Sequence, residues 1–175
     1  MAAGPDFDVQ RLGSFIEKVR DDPSAGATVW RANTTWKKGL ASEATITRPD
    51  KEHVVVMDEP AQLGGSDTGP NMVEVVLGAY GCCLTTGFVA NAAMRGIELE
   101  GVEIEVEGDL DLQAFFGLRS PEEVWPGYTD VRAKVRLTAP SATREQLEEL
   151  HAAVVPTSPV GSIIARPVQV HAELV

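Results

Sequence analysis

Cys82 and Cys83 are the only cysteines of the sequence, and they stand side by side in the apolar stretch GCCLTTGF, residues 81–88. A thiol does chemistry as its thiolate, which attacks peroxides and disulfides and is oxidised to a sulfenic acid. Free cysteine is also among the most buried residue types, so the pair reads as well as two small core residues. A disulfide between neighbours would distort the peptide unit and cannot sit in a regular helix, so the pair is not an obvious redox couple. A reactive thiolate needs positive charge close by. Arg31, Lys37, Lys38 and Arg48, on strands expected before the cysteines, are the available cations; their plainer role is a solvated strand face. Glu74 precedes Cys83 by nine residues, and about 100° per helical residue turns it to the opposite side.

Other chemistries find less support. His53, His151 and His171 share no metal-ligand spacing with one another or with the cysteines, so no metal is assigned. No Gly-x-Ser-x-Gly elbow supports a serine nucleophile. The loop DEPAQLGGSDTGPN, residues 58–71, carries glycines but no Gly-Lys-Ser/Thr ending and is not a phosphate cradle. No cofactor is expected. The acids Glu103, Glu105, Glu107, Asp109 and Asp111 alternate along a strand and read as its solvated face.

The element that must position the cysteines is the longest helical candidate, Met72–Arg95. Asn71 and Glu74 form a capping-box pattern at its start. The segment is apolar almost all round, the mark of a helix packed from several sides, against a partner chain if need be. Gly78, Gly81 and Gly87 each cost helix stability, about 1 kcal/mol against alanine, and admit close neighbours.

Around this helix the periodicity predicts a helix over 8–20, strands over 28–36, 41–47 and 53–57, and strands over 102–112 and 129–139. Thr143 with Gln146 opens a helix reaching about Val155, Pro156 and Pro159 punctuate the chain, and 168–175 closes as a strand. The order is α+β, with no regular parallel βαβ series.

The 175 residues suit one domain. A formal charge of -11 argues against nucleic acid or an anionic membrane as partner. No secretory start is visible at Met1–Asp8, and no apolar run is read as long enough to span a bilayer. The expected setting is cytoplasmic, with reduced thiols.

The stretch LGGSDTGPNMVEVVLGAYGCCLTTGFVANAAMRGI, residues 63–97, resembles the central segment of the OsmC/Ohr family, the osmotically inducible and organic-hydroperoxide-resistance proteins. Asn71 and Cys83 keep the family's twelve-residue spacing between the Asn of its opening motif and the helix cysteine. The tail TSPVGSIIARPVQVHAEL resembles the closing motif, and TTWKKGLASEATI fits the amino-terminal strands.

The resemblance implies an OsmC-like domain over 28–175 behind a helical extension over 1–27. It implies strands wrapped around a long buried central helix in an intertwined homodimer, with sites at the interface. It further implies thiol-dependent reduction of organic hydroperoxides. Cys83 would be the peroxidatic nucleophile, Lys37 or Lys38 its cationic support where the family has arginine, and Cys82 an added thiol. Two positions depart from the pattern: Ser158 stands in place of the second cysteine, and Val73 in place of an acid. An external thiol or Cys82 would then resolve the oxidised sulfur. The alternative is a non-catalytic protein that binds a small apolar ligand, lined by Phe115, Phe116, Trp125 and Tyr128.

Overall fold

The computed structural model describes residues 6–175; Met1–Pro5, the start of the expected amino-terminal extension, lie outside them. The described residues divide into two compact units, one formed by Gln10–Val76 and the other by Leu77–Val175 with residues 6–9.

In the first unit, helix α1 (Val9–Asp21) follows the apolar spacing of Leu12, Phe15, Ile16 and Val19, yet none of its residues is buried. Asp22 stops it and caps the 3-10 turn Pro23–Gly26 by accepting from the Ser24 N–H at 3.1 Å. Strands β1 (Asn33–Lys38), β2 (Ala41–Arg48) and β3 (Lys51–Met57) form an antiparallel sheet in that order. The β1–β2 turn uses Gly39 at φ 58, and the Trp36 indole closes it by donating to the Gly39 carbonyl at 2.9 Å.

The first strand is shorter than the alternation predicts, because its amino-terminal half has turned to local partners. Trp30 donates to Thr28 Oγ1 at 2.9 Å, and the Arg48 guanidinium lies 5.8 Å from the centre of the Trp30 ring.

The second unit is built on helix α2 (Met72–Met94), most of which belongs to it. Strands β4 (Gly101–Leu110) and β5 (Tyr128–Thr138) pair antiparallel, with Ile104 opposite Val135 and Val106 opposite Ala133. Alternation holds: Val102, Ile104, Val106, Val131, Ala133, Val135 and Leu137 are half-buried, and the acids between them are exposed. Helix α3 (Arg144–Val154) carries the predicted capping box, with Thr143 accepting from the Gln146 N–H and the Gln146 side chain accepting from the Thr143 N–H. Leu84, Phe88 and Ala92 of α2 meet Leu150 and Val154 of α3 in a core flanked by β4 and β5. Complete burial of a side chain such as Phe88 or Leu84 contributes about 1.5–3 kcal/mol each.

Within one chain α2 is buried along one stripe, and Met72, Val73, Val76 and Met94 remain exposed, so its expected further packing is left to a partner chain. Three expectations are corrected here. Of its glycines, Gly87 meets a close neighbour, since a Cβ there would lie 2.8 Å from Val154, whereas at Gly78 nothing lies within 4 Å. By length and composition α2 could cross a membrane, with an 18-residue window of mean hydropathy 1.6, but its Leu84, Phe88 and Ala92 carry the core instead. The closing strand over 168–175 does not form: among the described residues the segment pairs with no strand, and it is exposed. In its vicinity the sequence forms an unexpected short helix, α4 (Pro159–Ala165), because Ser158 caps it and Pro159 presets the first helical turn.

Candidate functional site

Helix α2 sets the two thiols apart. Neighbouring helical side chains diverge by about 100°, so Cys82 is exposed while Cys83 turns toward the body of its unit and is half-buried. Ser158, only 5 % exposed, comes to meet Cys83: its Oγ donates to the Cys83 Sγ at 3.2 Å. The same oxygen accepts the Gly161 N–H at 3.1 Å and so caps α4. Val155 and Pro156 form a tight turn before the cap, and the Ser158 N–H closes it on the Val155 carbonyl. Two elements far apart in sequence are thereby joined at one sulfur.

Tyr80 lies one helical turn before Cys83 and covers the Ser158 cap. A Cβ on Gly161 would lie 2.8 Å from the Tyr80 ring and 3.3 Å from Ser158 Oγ, so only glycine lets the backbone N–H approach this closely. Beside this point opens a cleft of about 320 Å³, lined by Tyr80, Tyr128, Asp130, Gly161, Ile164 and others. Phe115, Phe116 and Trp125 do not line it; they are exposed, with Phe115 and Phe116 in an edge-to-face pair at 5.3 Å. Of the aromatic residues expected to line a ligand pocket, Tyr128 alone borders this cleft.

Lys37 and Lys38 end β1 in the other unit, with Lys37 inside the register shift between Trp36 and Lys38. Lys37 is engaged by Glu43 at 2.6 Å. In that unit the loop 58–71 is fastened by acids that motif reading passed over. Asp58 is 1 % exposed and accepts from the N–H groups of Glu59, Ser66 and Thr68 and from the Thr68 hydroxyl. Burial pushes its carboxyl up, but the Thr68, Glu59 and Ser66 bonds outweigh this and hold it below the usual carboxylate range. The Asn71 amide donates to the buried Glu59 carboxylate. Asn71 and Glu74 cap α2 as expected: Asn71 Oδ1 accepts the Val73 N–H at 2.9 Å, and Glu74 accepts the Asn71 N–H at 2.8 Å.

On the outer face of β4–β5 the alternating acids form a cross-strand ladder: Glu103 with Arg136, Glu105 with Lys134, and Glu107 and Asp109 with Arg132. Arg132 also donates to Asp130, and its hydrogen bonds to Asp109, Glu107 and Asp130 raise its affinity for its proton. Asp109 is held low by the same pairing. The face is solvated, and its pairs carry register more than stability.

The family model for OsmC-like proteins matches residues 64–173. The chain belongs to the OsmC-like family. Its fold recurs in solved members. An OsmC-like protein from Mycoplasma pneumoniae superposes with a TM-score of 0.64 at 12% identity, covering 79% of this chain and 88% of that one. A protein described as a putative osmotic stress induced and detoxification response protein, from Psychrobacter arcticus, gives 0.60 at 13%, covering 78% and 88%. An organic hydroperoxide resistance protein OsmC from Legionella pneumophila gives 0.54 at 17%, covering 79% and 91%. No curated protein matches the sequence. The OsmC-like match spans α2, β4, β5, α3 and α4, and so includes Cys83 and Ser158.

Proposed function

We propose that this OsmC-like protein reduces small organic hydroperoxides through Cys83, using an external thiol as reductant. The observation that carries the reading is the half-buried Cys83 sulfur receiving a hydrogen bond from the buried Ser158 hydroxyl. A sulfur so placed has a polar partner for its anionic form, which an inert core cysteine lacks. Membership in a family whose solved members include an organic hydroperoxide resistance protein supports the same chemistry. Lys38 is the better candidate for the supporting charge, since Lys37 is committed to Glu43. Cys82, exposed one residue away, serves as an accessory thiol.

The working form in this reading is a homodimer in a reducing compartment such as the cytoplasm. The exposed apolar side chains of α2 and the unladdered segment 168–175, with its alternating Val168, Val170, Ala172 and Leu174, are the surfaces a second copy would cover. Residues 1–27 act as an extension to the OsmC-like domain over 28–175.

The test is one equivalent of an organic hydroperoxide added to the reduced protein, followed by residue-resolved mass spectrometry with a sulfenic-acid trap. Cys83 is expected to carry the trapped product. A folded protein with unmodified Cys83 would sink the proposal. In that event the second reading, a non-catalytic site for a small apolar ligand, would take its place. Saturable binding untouched by Cys83→Ser would mark it.

A further inference from the structure

We propose that Ser158 is a positioning residue for Cys83, directing an O–H···S bond at its sulfur and leaving its oxidised form to an external thiol; this rests on the hydroperoxide reading above.

A serine hydroxyl has one proton to give and two lone pairs to receive with. At Ser158 a lone pair is taken by the Gly161 N–H at 3.1 Å, and the proton is directed at Cys83 Sγ at 3.2 Å. An N–H donated into an oxygen strengthens the bond that its own hydroxyl makes. A bond to an ionised acceptor is roughly twice as strong as a neutral one, so the arrangement favours thiolate over thiol. Burial keeps water from competing, as Ser158 is 5 % exposed. The geometry is locked from two sides: Pro159 fixes the backbone after the cap, and the Tyr80 ring lies over Gly161.

The consequence for turnover follows from the element at Ser158 Oγ. The Cys83 thiolate attacks the outer oxygen of ROOH; the O–O bond breaks, giving Cys83 S–OH and RO⁻, which takes up a proton and leaves as ROH. Sulfur is oxidised by two electrons and the peroxide reduced by two. Ser158 has no sulfur with which to displace the hydroxyl, so it remains a hydrogen-bond partner of the oxidised site. An external thiol R′SH attacks the sulfenic sulfur, the S–O bond breaks and water leaves. A second R′SH then releases Cys83 as thiol and departs as R′SSR′.

A cap alone would explain Ser158 without any role at sulfur, and the experiment separates the two. Cys83 alkylation by iodoacetamide is followed against pH, resolved from Cys82 by mass spectrometry, in wild type, Ser158→Ala, Ser158→Asp and Ser158→Thr, with a thermal melt for each. Aspartate is as good a helix cap as serine but brings a negative charge to the sulfur. For Ser158→Ala the midpoint of the pH–rate profile is expected to rise by about one pH unit, tenfold in the thiol–thiolate equilibrium. Ser158→Asp is expected to raise it further, and Ser158→Thr, which keeps the hydroxyl, to stay near wild type. Profiles for Ala and Asp that overlay wild type would overturn the proposal. Because alkylation needs no peroxide, the two ideas fail separately. A Ser158-dependent profile with Cys83 inert to hydroperoxide sinks the hydroperoxide reading, and oxidation of Cys83 with Ser158-independent profiles sinks this one.

Discussion

Two thiols on adjacent residues are chemically unlike because a helix turns them apart. Cys82 faces outward, and Cys83 meets Ser158. If hydroperoxide reduction runs through Cys83, Cys83→Ser abolishes hydroperoxide-dependent consumption of an added dithiol, whereas Cys82→Ser keeps at least half of it; equal losses in the two variants would show that the pair acts as a unit. The acids have their own prediction. Asp58 has a folded pKa below its unfolded value of about 3.9. Its contribution is therefore complete above that value and is lost as pH falls through the lower folded value. Melting temperature recorded from pH 6 down to pH 2 should fall more steeply below about pH 4 for wild type than for Asp58→Asn, which starts lower. Parallel curves would mean that the loop 58–71 does not depend on this carboxylate. At this scale the sequence shows which residue types are present but not which are buried. Cys83 and the exchange at Ser158 stand out in the motif, whereas Asp58 and Glu59 sit in a run of turn residues that looks solvated.

Elements were legible where periodicity is long and caps are explicit. The boundaries of α2, β4, β5 and α3 lie close to those their patterns predict, and the Thr143–Gln146 capping box forms as read. The misses share a cause: local chemistry overrode the pattern. Trp30 left its strand for Thr28 and Arg48, and Ser158-Pro159, read as punctuation, starts a helix. The glycines of α2 turn this into a measurable contrast. Gly87→Ala pushes a methyl to 2.8 Å from Val154, so overpacking of about 1–3 kcal/mol opposes the helix-propensity gain. Gly78→Ala meets nothing within 4 Å in one chain and should gain up to about 1 kcal/mol. Chemical denaturation under conditions that keep the chain monomeric should therefore rank Gly78→Ala above wild type and Gly87→Ala below Gly78→Ala; the reverse order would contradict the packing of α2 on α3. Phe88→Ala, at the centre of the same contact, should cost about 3–5 kcal/mol by the same measurement.

At the scale of the whole molecule, the sequence signal that one chain does not satisfy is the one most informative about assembly. A helix apolar on nearly every face has a single buried stripe, and a segment with strand alternation, 168–175, has no ladder. Hydrophobic surface left open in this way marks an interaction face when it is contiguous. The two features need different remedies, a second packing surface and a second strand edge, and in the proposed dimer another copy of the chain would supply both. Light scattering coupled to size exclusion is expected to return twice the chain mass. Val170→Pro removes a backbone donor and fixes φ in the middle of the alternating segment, which a ladder does not tolerate. If that segment pairs across the dimer, the variant shifts toward monomer at micromolar concentration while the core around Phe88 keeps its far-ultraviolet spectrum. A dimer that survives Val170→Pro unchanged would place the contact on α2 alone. A monomeric wild type would remove the dimer from the proposal and leave the Cys83–Ser158 pair to work within one chain.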